Sequence, residues 1–197
     1  AGELHASGGC VVLNLCCHFL AAGMFLRGIE NFMIDLICNA KLVDKLFDLL
    51  LESYLKRIDR LAPELKEFVD VVLFNDDLGT QGGPLISPDD YRKFLKPCQK
   101  QMFPHAKAVF EAPILFHSCG SVREFIPDLI ECGVDALNPV QFTASGMELQ
   151  GLKRDFGKDI TFWGGGADSQ NILNRTTPDQ VRDHVKRNLD IMAPGGG

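Results

Sequence analysis

Short apolar runs recur along the chain, each rich in β-branched or aromatic residues and each ending in polar residues or glycine: Val11 to Cys16, Val69 to Phe74, Ile114 to His117, Ala136 to Val140, and Ile160 to Trp163. Runs of this length and make-up predict strands. Their apolarity is nearly continuous rather than alternating, which predicts burial on both faces, as in a parallel sheet covered by helices. Helical periodicity fills the intervals. From Lys41 to Arg60, Leu42, Val43, Leu46, Phe47, Leu50, Tyr54 and Leu55 fall at three- and four-residue steps and predict one amphipathic helix. Ser87-Pro88 predicts a capped helix start running through Tyr91 and Phe94 toward Pro97. Val122 to Glu131 reads as a helix after the turn at His117 to Ser121, and Thr177-Pro178-Asp179-Gln180 as cap and first turn of another through Val185 and Leu189.

This succession is that of an α/β fold with a parallel sheet. An open doubly wound sheet and a closed barrel give the same alternation. About five strands are visible, fewer than a barrel of eight needs, and Pro194-Gly195-Gly196-Gly197 reads as the approach to a further strand. With the abrupt start at Ala1, the expectation is a single domain over residues 1–197, truncated at both ends. No internal repeat, low-complexity tract or linker divides it.

Composition narrows the partners. Hydrophobic residues make up 46% and charged residues 23%, which suits a packed globular domain. The formal net charge of -6 offers no basic face for nucleic acid or an anionic membrane, so a small molecule or a protein is expected instead. The apolar stretch Val11 to Leu26 is interrupted by Asn14 and His18 and falls short of the roughly 20 residues of a spanning helix. It also lacks the basic start and cleavage site of a signal peptide, so a buried strand leading into a buried helix is expected. Seven cysteines at irregular spacing make a poor disulfide framework and suit a reducing cytoplasm. Cys16, Cys17, Cys38 and Cys132 read as core residues.

Three strand ends carry chemistry. In Pro113-Ile-Leu-Phe-His117-Ser118-Cys119-Gly120, strand alternation sends positions 117 and 119 to one side, and both are competent zinc ligands. The competing account is a buried histidine beside an inert buried cysteine. A catalytic zinc would need a third protein ligand and one open position. Asn75-Asp76-Asp77-Leu78-Gly79 ends the Val69 to Phe74 strand on the same edge. One carboxylate there is expected to bind substrate, act as acid or base, or ligate, while the other caps a turn. Trp163-Gly164-Gly165-Gly166-Ala167-Asp168 opens a loop whose glycines permit close backbone approach, to a ligand or simply within a tight turn. No GxGxxG or GxxxxGK[ST] occurs, so nucleotide binding is unsupported. His18 and Arg27 lie beyond the first strand and read as a packed histidine and a surface arginine within reach of the same mouth.

The segments Asn75-Asp-Asp-Leu-Gly-Thr-Gln with Ser87-Pro88 and Tyr91, His117-Ser-Cys-Gly, Asn138-Pro-Val-Gln141, Trp163-Gly-Gly-Gly and Ala193-Pro-Gly-Gly-Gly resemble, in order, the uroporphyrinogen decarboxylase-like superfamily. The resemblance implies a (β/α)8 TIM barrel, of which this chain would be the C-terminal part. The superfamily holds cofactor-free decarboxylases acting on a tetrapyrrole and corrinoid-linked methyltransferases in which zinc activates a thiol to take a methyl group from methylcobalamin. His-x-Cys at this strand end is similar to the methyltransferase branch. Phe74-Asn75-Asp76-Asp77 replaces the decarboxylases' phenylalanine-aspartate-serine-tryptophan stretch.

The resemblance thus implies metal ligation by His117 and Cys119, catalytic or substrate-positioning roles for Asp76 and Asp77, and contacts to substrate or corrinoid by Gln141, Gly164, Gly165 and Asp168. A corrinoid protein is an implied partner. The branch's third zinc ligand, a cysteine in a Pro-Gly-Cys-Gly turn, aligns with Gly196, and a carboxylate sometimes found in that branch near the strand following His-x-Cys aligns with Val140, leaving Gln141 and Asp77 as possible donors. Two alternatives stand beside methyl transfer: tetrapyrrole decarboxylation, and a non-catalytic protein that binds a corrinoid or tetrapyrrole.

Overall fold

A computed structural model of the chain describes residues 2–196. After a short helix α1 (Gly2–Ala6), the order is β1 (Val12–Asn14), α2 (Leu20–Arg27), α3 (Ile29–Cys38), α4 (Ala40–Leu65), β2 (Val71–Asn75), α5 (Pro88–Asp90), α6 (Lys96–Phe110), β3 (Ile114–His117), α7 (Ile126–Glu131), β4 (Ala136–Asn138), α8 (Leu149–Phe156), β5 (Thr161–Phe162) and α9 (Pro178–Met192). The five strands form one parallel sheet in the order β1-β2-β3-β4-β5. A doubly wound sheet reverses its strand order partway, and this one never does. The architecture is therefore α/β with the sheet wound in one direction, a five-strand wall of a (β/α)8 barrel.

Each of the five predicted strands is present, β3 with the expected bounds, β2 shifted to end at Asn75, and β1, β4 and β5 shorter than expected. Strand alternation separates two faces. Val72, Phe74, Ile114 and Phe116 are fully buried beneath the helices, where the ring of Phe103 on α6 lies 4.9 Å from Phe74 and 5.7 Å from Phe116. Leu73, Asn75, Leu115 and His117 take the other, inward face. The predicted central helix is α4, whose stripe Val43, Phe47, Leu51, Tyr54 and Ile58 is buried. Each such side chain contributes about 1.5–3 kcal/mol of burial free energy.

Some expectations need correction. The helix starting at Pro88 does not stop near Pro97 but runs on to Phe110, through a π-helical turn at Tyr91–Leu95. In that widened turn the Lys96 N–H bonds the Tyr91 carbonyl, so the register shifts just before the residue that has no donor to give. Cys17 and Cys132 are buried as expected, but Cys16 and Cys38 are exposed, and none of the cysteines is paired. Cys16 has φ 51, a left-handed turn that swings it out of the strand direction. Helices α1, α3 and α8 have no counterpart in the predicted set. Among the described residues, no helix is long and apolar enough to cross a membrane.

Candidate functional site

The loops after β2 and β3 meet at two glycines. A Cβ on Gly79 would lie 2.7 Å from the Cys119 carbonyl oxygen, and one on Gly120, at φ +81, would lie 2.5 Å from the Gly79 carbonyl carbon. Only bare backbone fits. Around this contact the Ser121 N–H donates to the Thr80 carbonyl, the Leu78 N–H to Ser118 Oγ, and the Cys119 N–H to Asp77 Oδ1. The two strand ends are thereby held as one unit, with Asp77 beside Cys119.

His117 ends β3, in register with Asn75 on β2 and Asn138 on β4. Asn138 Nδ2 donates to the Trp163 carbonyl at 3.0 Å, and a carbonyl can only accept. Asn138 Oδ1 therefore faces His117 Nδ1, 2.6 Å away, and that nitrogen must carry the proton. Its other nitrogen, Nε2, keeps its lone pair and lies 3.6 Å from Cys119 Sγ and 3.9 Å from Asp77 Oδ1. The three donor atoms all fall within 4.8 Å of one another. Tetrahedral zinc with bonds of roughly 2.0–2.3 Å separates its ligands by about 3.3–3.8 Å, so this nitrogen, sulfur and oxygen set fits the ion with little movement. Histidine oriented through its far nitrogen by a side-chain acceptor is the usual support of such a ligand.

Cys119 is half-buried, and burial, then the adjacent Asp77 carboxylate, push its thiol above the usual range. A free nucleophilic cysteine needs the reverse. A cation between the two groups reconciles them, because it favours thiolate and carboxylate together.

The adjacent aspartates point apart, and one of them makes a cap, though on a distant segment instead of the following turn. Asp76 is 4% exposed and accepts the backbone N–H groups of Phe19, Leu20 and Ala21 at 2.7 to 2.9 Å, fastening the start of α2 to the end of β2. Burial raises its pKa, opposed by those three donors. Both oxygens are engaged, which makes it a positioning group, while exposed Asp77 faces the histidine.

Gln141 accepts the Gly120 N–H on Oε1 at 3.0 Å and donates from Nε2 to Gln81 Oε1 at 2.7 Å, and Gln170 Nε2 approaches the same oxygen at 3.2 Å. Three loops thus share a carboxamide network beside Cys119. Gly164 approaches protein rather than a ligand: with φ +146, a Cβ there would fall 1.8 Å from the Pro139 carbonyl oxygen. Gly165 packs on Leu149 and Val140. Asp168 is buried, a cost that the N–H groups of Asn171 and Gln170 overcome, holding its carboxyl below the ordinary value while it caps its own turn. Arg27 pairs with Asp35 at 2.8 Å, away from the histidine. Gly196 lines a depression with Asp135 and Thr161, at the edge where β4 and β5 begin, so its turn lies at the opposite end of the strands from His117. Asn138 and Gln81 stood in the quoted motifs without a role of their own, and Asn188, which donates to the carbonyls of Gly165 and Gly166, was not singled out from sequence. Position in register marks Asn138 only once the strands are paired.

Two clefts flank the trio. One of about 230 Å³ is walled by Cys119, Val140, Gln141, Phe142, Asp168 and Gln170. The other, of about 340 Å³, is walled by His18, Met24, Phe25, Asn75, Asp77 and His117. Neither has a lysine or arginine in its wall among the described residues.

No curated protein matches the chain. Among solved structures, a methyltransferase from Methanosarcina mazei superposes with a TM-score of 0.71 at 20% identity, covering 92% of this chain and 50% of that one. The chain thus spans half the length of that protein, and the likeness establishes the fold. A 7,8-dihydropteroate synthase from Vibrio fischeri ES114 reaches a TM-score of 0.47 at 13% identity, over 74% of this chain and 50% of that one. The family model for uroporphyrinogen decarboxylase (URO-D) matches residues 15–197, nearly the whole sequence, and the chain belongs to that family.

Proposed function

We propose that the protein of which this chain is part is a zinc-dependent methyltransferase that moves a methyl group from a methylated corrinoid to a thiol. The observation that carries this reading is the convergence of Asp77, His117 and Cys119, a donor set that fits a zinc ion. Zinc, when bound, supplies the Lewis acidity that keeps an acceptor thiol deprotonated near neutral pH. The chain's own groups do the rest. Asn138 holds His117 in the ligating tautomer, and Asp76 holds α2 against the end of β2. Asp77, His117 and Cys119 would hold the ion, the acceptor's S–H proton would pass to solvent as its thiolate forms, and the methylated corrinoid would supply the methyl group and keep the electron pair of the bond it gives up.

The cleft beside Cys119 supports a corrinoid on that side. Its polar wall combines the carboxamides of Gln141 and Gln170 with Thr143, Ser169 and the Asp168 carboxylate, and its apolar wall includes Val140 and Phe142. A corrinoid rim carries neutral carboxamides, whereas the tetrapyrrole substrate of a decarboxylase carries many carboxylates that call for cations.

Elemental analysis of the parent protein, purified without added zinc, tests the reading. About one zinc per chain is expected, lost in the His117→Ala/Cys119→Ala double variant. No zinc in either would turn the reading to metal-free tetrapyrrole chemistry or to binding alone.

A further inference from the structure

The loop after β5, which walls the cleft beside Cys119, is gripped from behind by α9. His184 and Asn188 stand one turn apart on that helix. Asn188 Nδ2 donates to the carbonyls of Gly165 and Gly166 at 3.1 and 3.2 Å and lies 3.1 Å from His184 Nε2, which also accepts the Asp168 N–H at 3.3 Å. Both groups that meet Nε2 are donors, so this nitrogen keeps its lone pair, the proton sits on Nδ1, and the imidazole is neutral in the gripped state. Its ring packs on Phe142 with centroids 5.8 Å apart, which ties the loop after β4 to the loop after β5. Phe142, Gly165 and Asp168 all line the cleft. Asp168 in turn shapes its own loop: Oδ1 accepts the N–H groups of Gln170 and Asn171 at 2.8 and 2.9 Å, and Oδ2 the side-chain amide of Asn171 at 3.1 Å.

We infer that α9 is a proton-sensitive clamp: neutral His184 holds the loop of residues 164–171 against the cleft, and protonation of its Nε2 releases that loop. A proton there turns an acceptor into a donor facing the Asp168 N–H and the Asn188 amide, so both contacts are lost together. The new cation stands beside the Asp168 carboxylate, and pairing with it competes with the Gln170 and Asn171 N–H groups that shape the turn. The gripped state binds one proton fewer than the released state, so it is favoured as pH rises and lost as pH falls. Asp168 is the charged group set against the ring, while Arg175 farther along the loop and Glu148 before α8 are exposed. On α9 itself Asp183, Lys186 and Arg187 are exposed too, and on α8, which packs on α9, Lys153 reaches the Gly196 carbonyl while Arg154 and Asp155 pair with each other. The functional consequence rests on the methyl-transfer reading above: release opens the side on which the corrinoid is placed, so acid regulates its entry and exit.

Amide hydrogen exchange in the parent protein tests the clamp with neither metal nor corrinoid, read by mass spectrometry on peptides spanning residues 164–171 and given as protection factors, so that the chemical rate's own pH dependence cancels. Between about pH 8 and pH 5.5, the range in which imidazole changes charge, protection of this segment should fall about ten-fold or more while β3 keeps its own. His184→Gln, whose carbonyl oxygen can still accept the Asp168 N–H but does not titrate, should keep the segment protected at both ends of the range. His184→Leu should leave it open at both. Protection that does not change with pH in the unmodified protein, an equal fall in β3, or the same fall in His184→Gln overturns the inference. A parent protein without zinc overturns the methyl-transfer reading and leaves the exchange result standing.

Discussion

Asn138 decides which nitrogen of His117 can bind a metal. Its amide is oriented by the Trp163 carbonyl, so its oxygen faces His117 Nδ1 at 2.6 Å and the free lone pair is left on Nε2, toward Asp77 and Cys119. One hydrogen bond from the neighbouring strand thus sets the chemistry of the site. Asn138→Leu removes the acceptor without charging the site. It should lower zinc affinity about 10- to 100-fold, read by competition with a chromogenic chelator. Asn138→Asp, which can still accept from Nδ1, should lose much less.

The neighbouring aspartates should respond oppositely to substitution. Asp77→Asn should reduce zinc occupancy and leave the urea midpoint nearly unchanged, because the side chain is exposed and asparagine still accepts the Cys119 N–H. Asp76→Ala strands three backbone donors at the start of α2 and should cost about 2–3 kcal/mol, read as a lowered midpoint with unchanged m.

Cys119 has a thiol raised above its ordinary value by burial and by Asp77. A raised pKa means less thiolate at every pH below it, so without metal its alkylation by iodoacetamide should be slow at pH 7 and still rising past about pH 8.5, where an ordinary thiol is half ionised. Asp77→Asn should speed the reaction at pH 8. Zinc should protect the residue, and alkylation unaffected by zinc would remove Cys119 from the ligand set.

Gly164 and Gly166 should separate cleanly. At Gly164 an added methyl meets the Pro139 carbonyl at 1.8 Å with φ +146, and Gly164→Ala should cost about 3 kcal/mol or more, visible as lost soluble protein or a collapsed thermal transition. Around Gly166 nothing lies within 4 Å of the added atom, and Gly166→Ala should stay within about 1 kcal/mol.

Much of this was open to reading along the chain. The five strands could be read because burial on both faces forces an unbroken apolar run, and α4 because one buried face forces three- and four-residue steps. His117 and Cys119 could be paired because a strand repeats its facing every second residue. Helix α8 escaped because only Leu149, Leu152 and Phe156 mark its apolar side, too few to stand out. The run past Pro97 escaped because proline ordinarily ends a helix and only the π-helical turn shows how it continues.

What the sequence determined by itself is local: which segments are strand or helix, which residues share a face, and which side chains are able to ligate. The tertiary structure decided everything that depends on two segments meeting. It chose the one-way barrel winding over the doubly wound sheet through strand order, brought Asp77 rather than Gly196 to the side of His117, gave Asp76 to the start of α2, and set the tautomer of His117 from Asn138. The physical reason is common to all four. Periodicity records how each segment is buried, whereas a hydrogen bond or a ligand set is made between atoms 20 to 60 residues apart, and sequence spacing carries no distance of that kind.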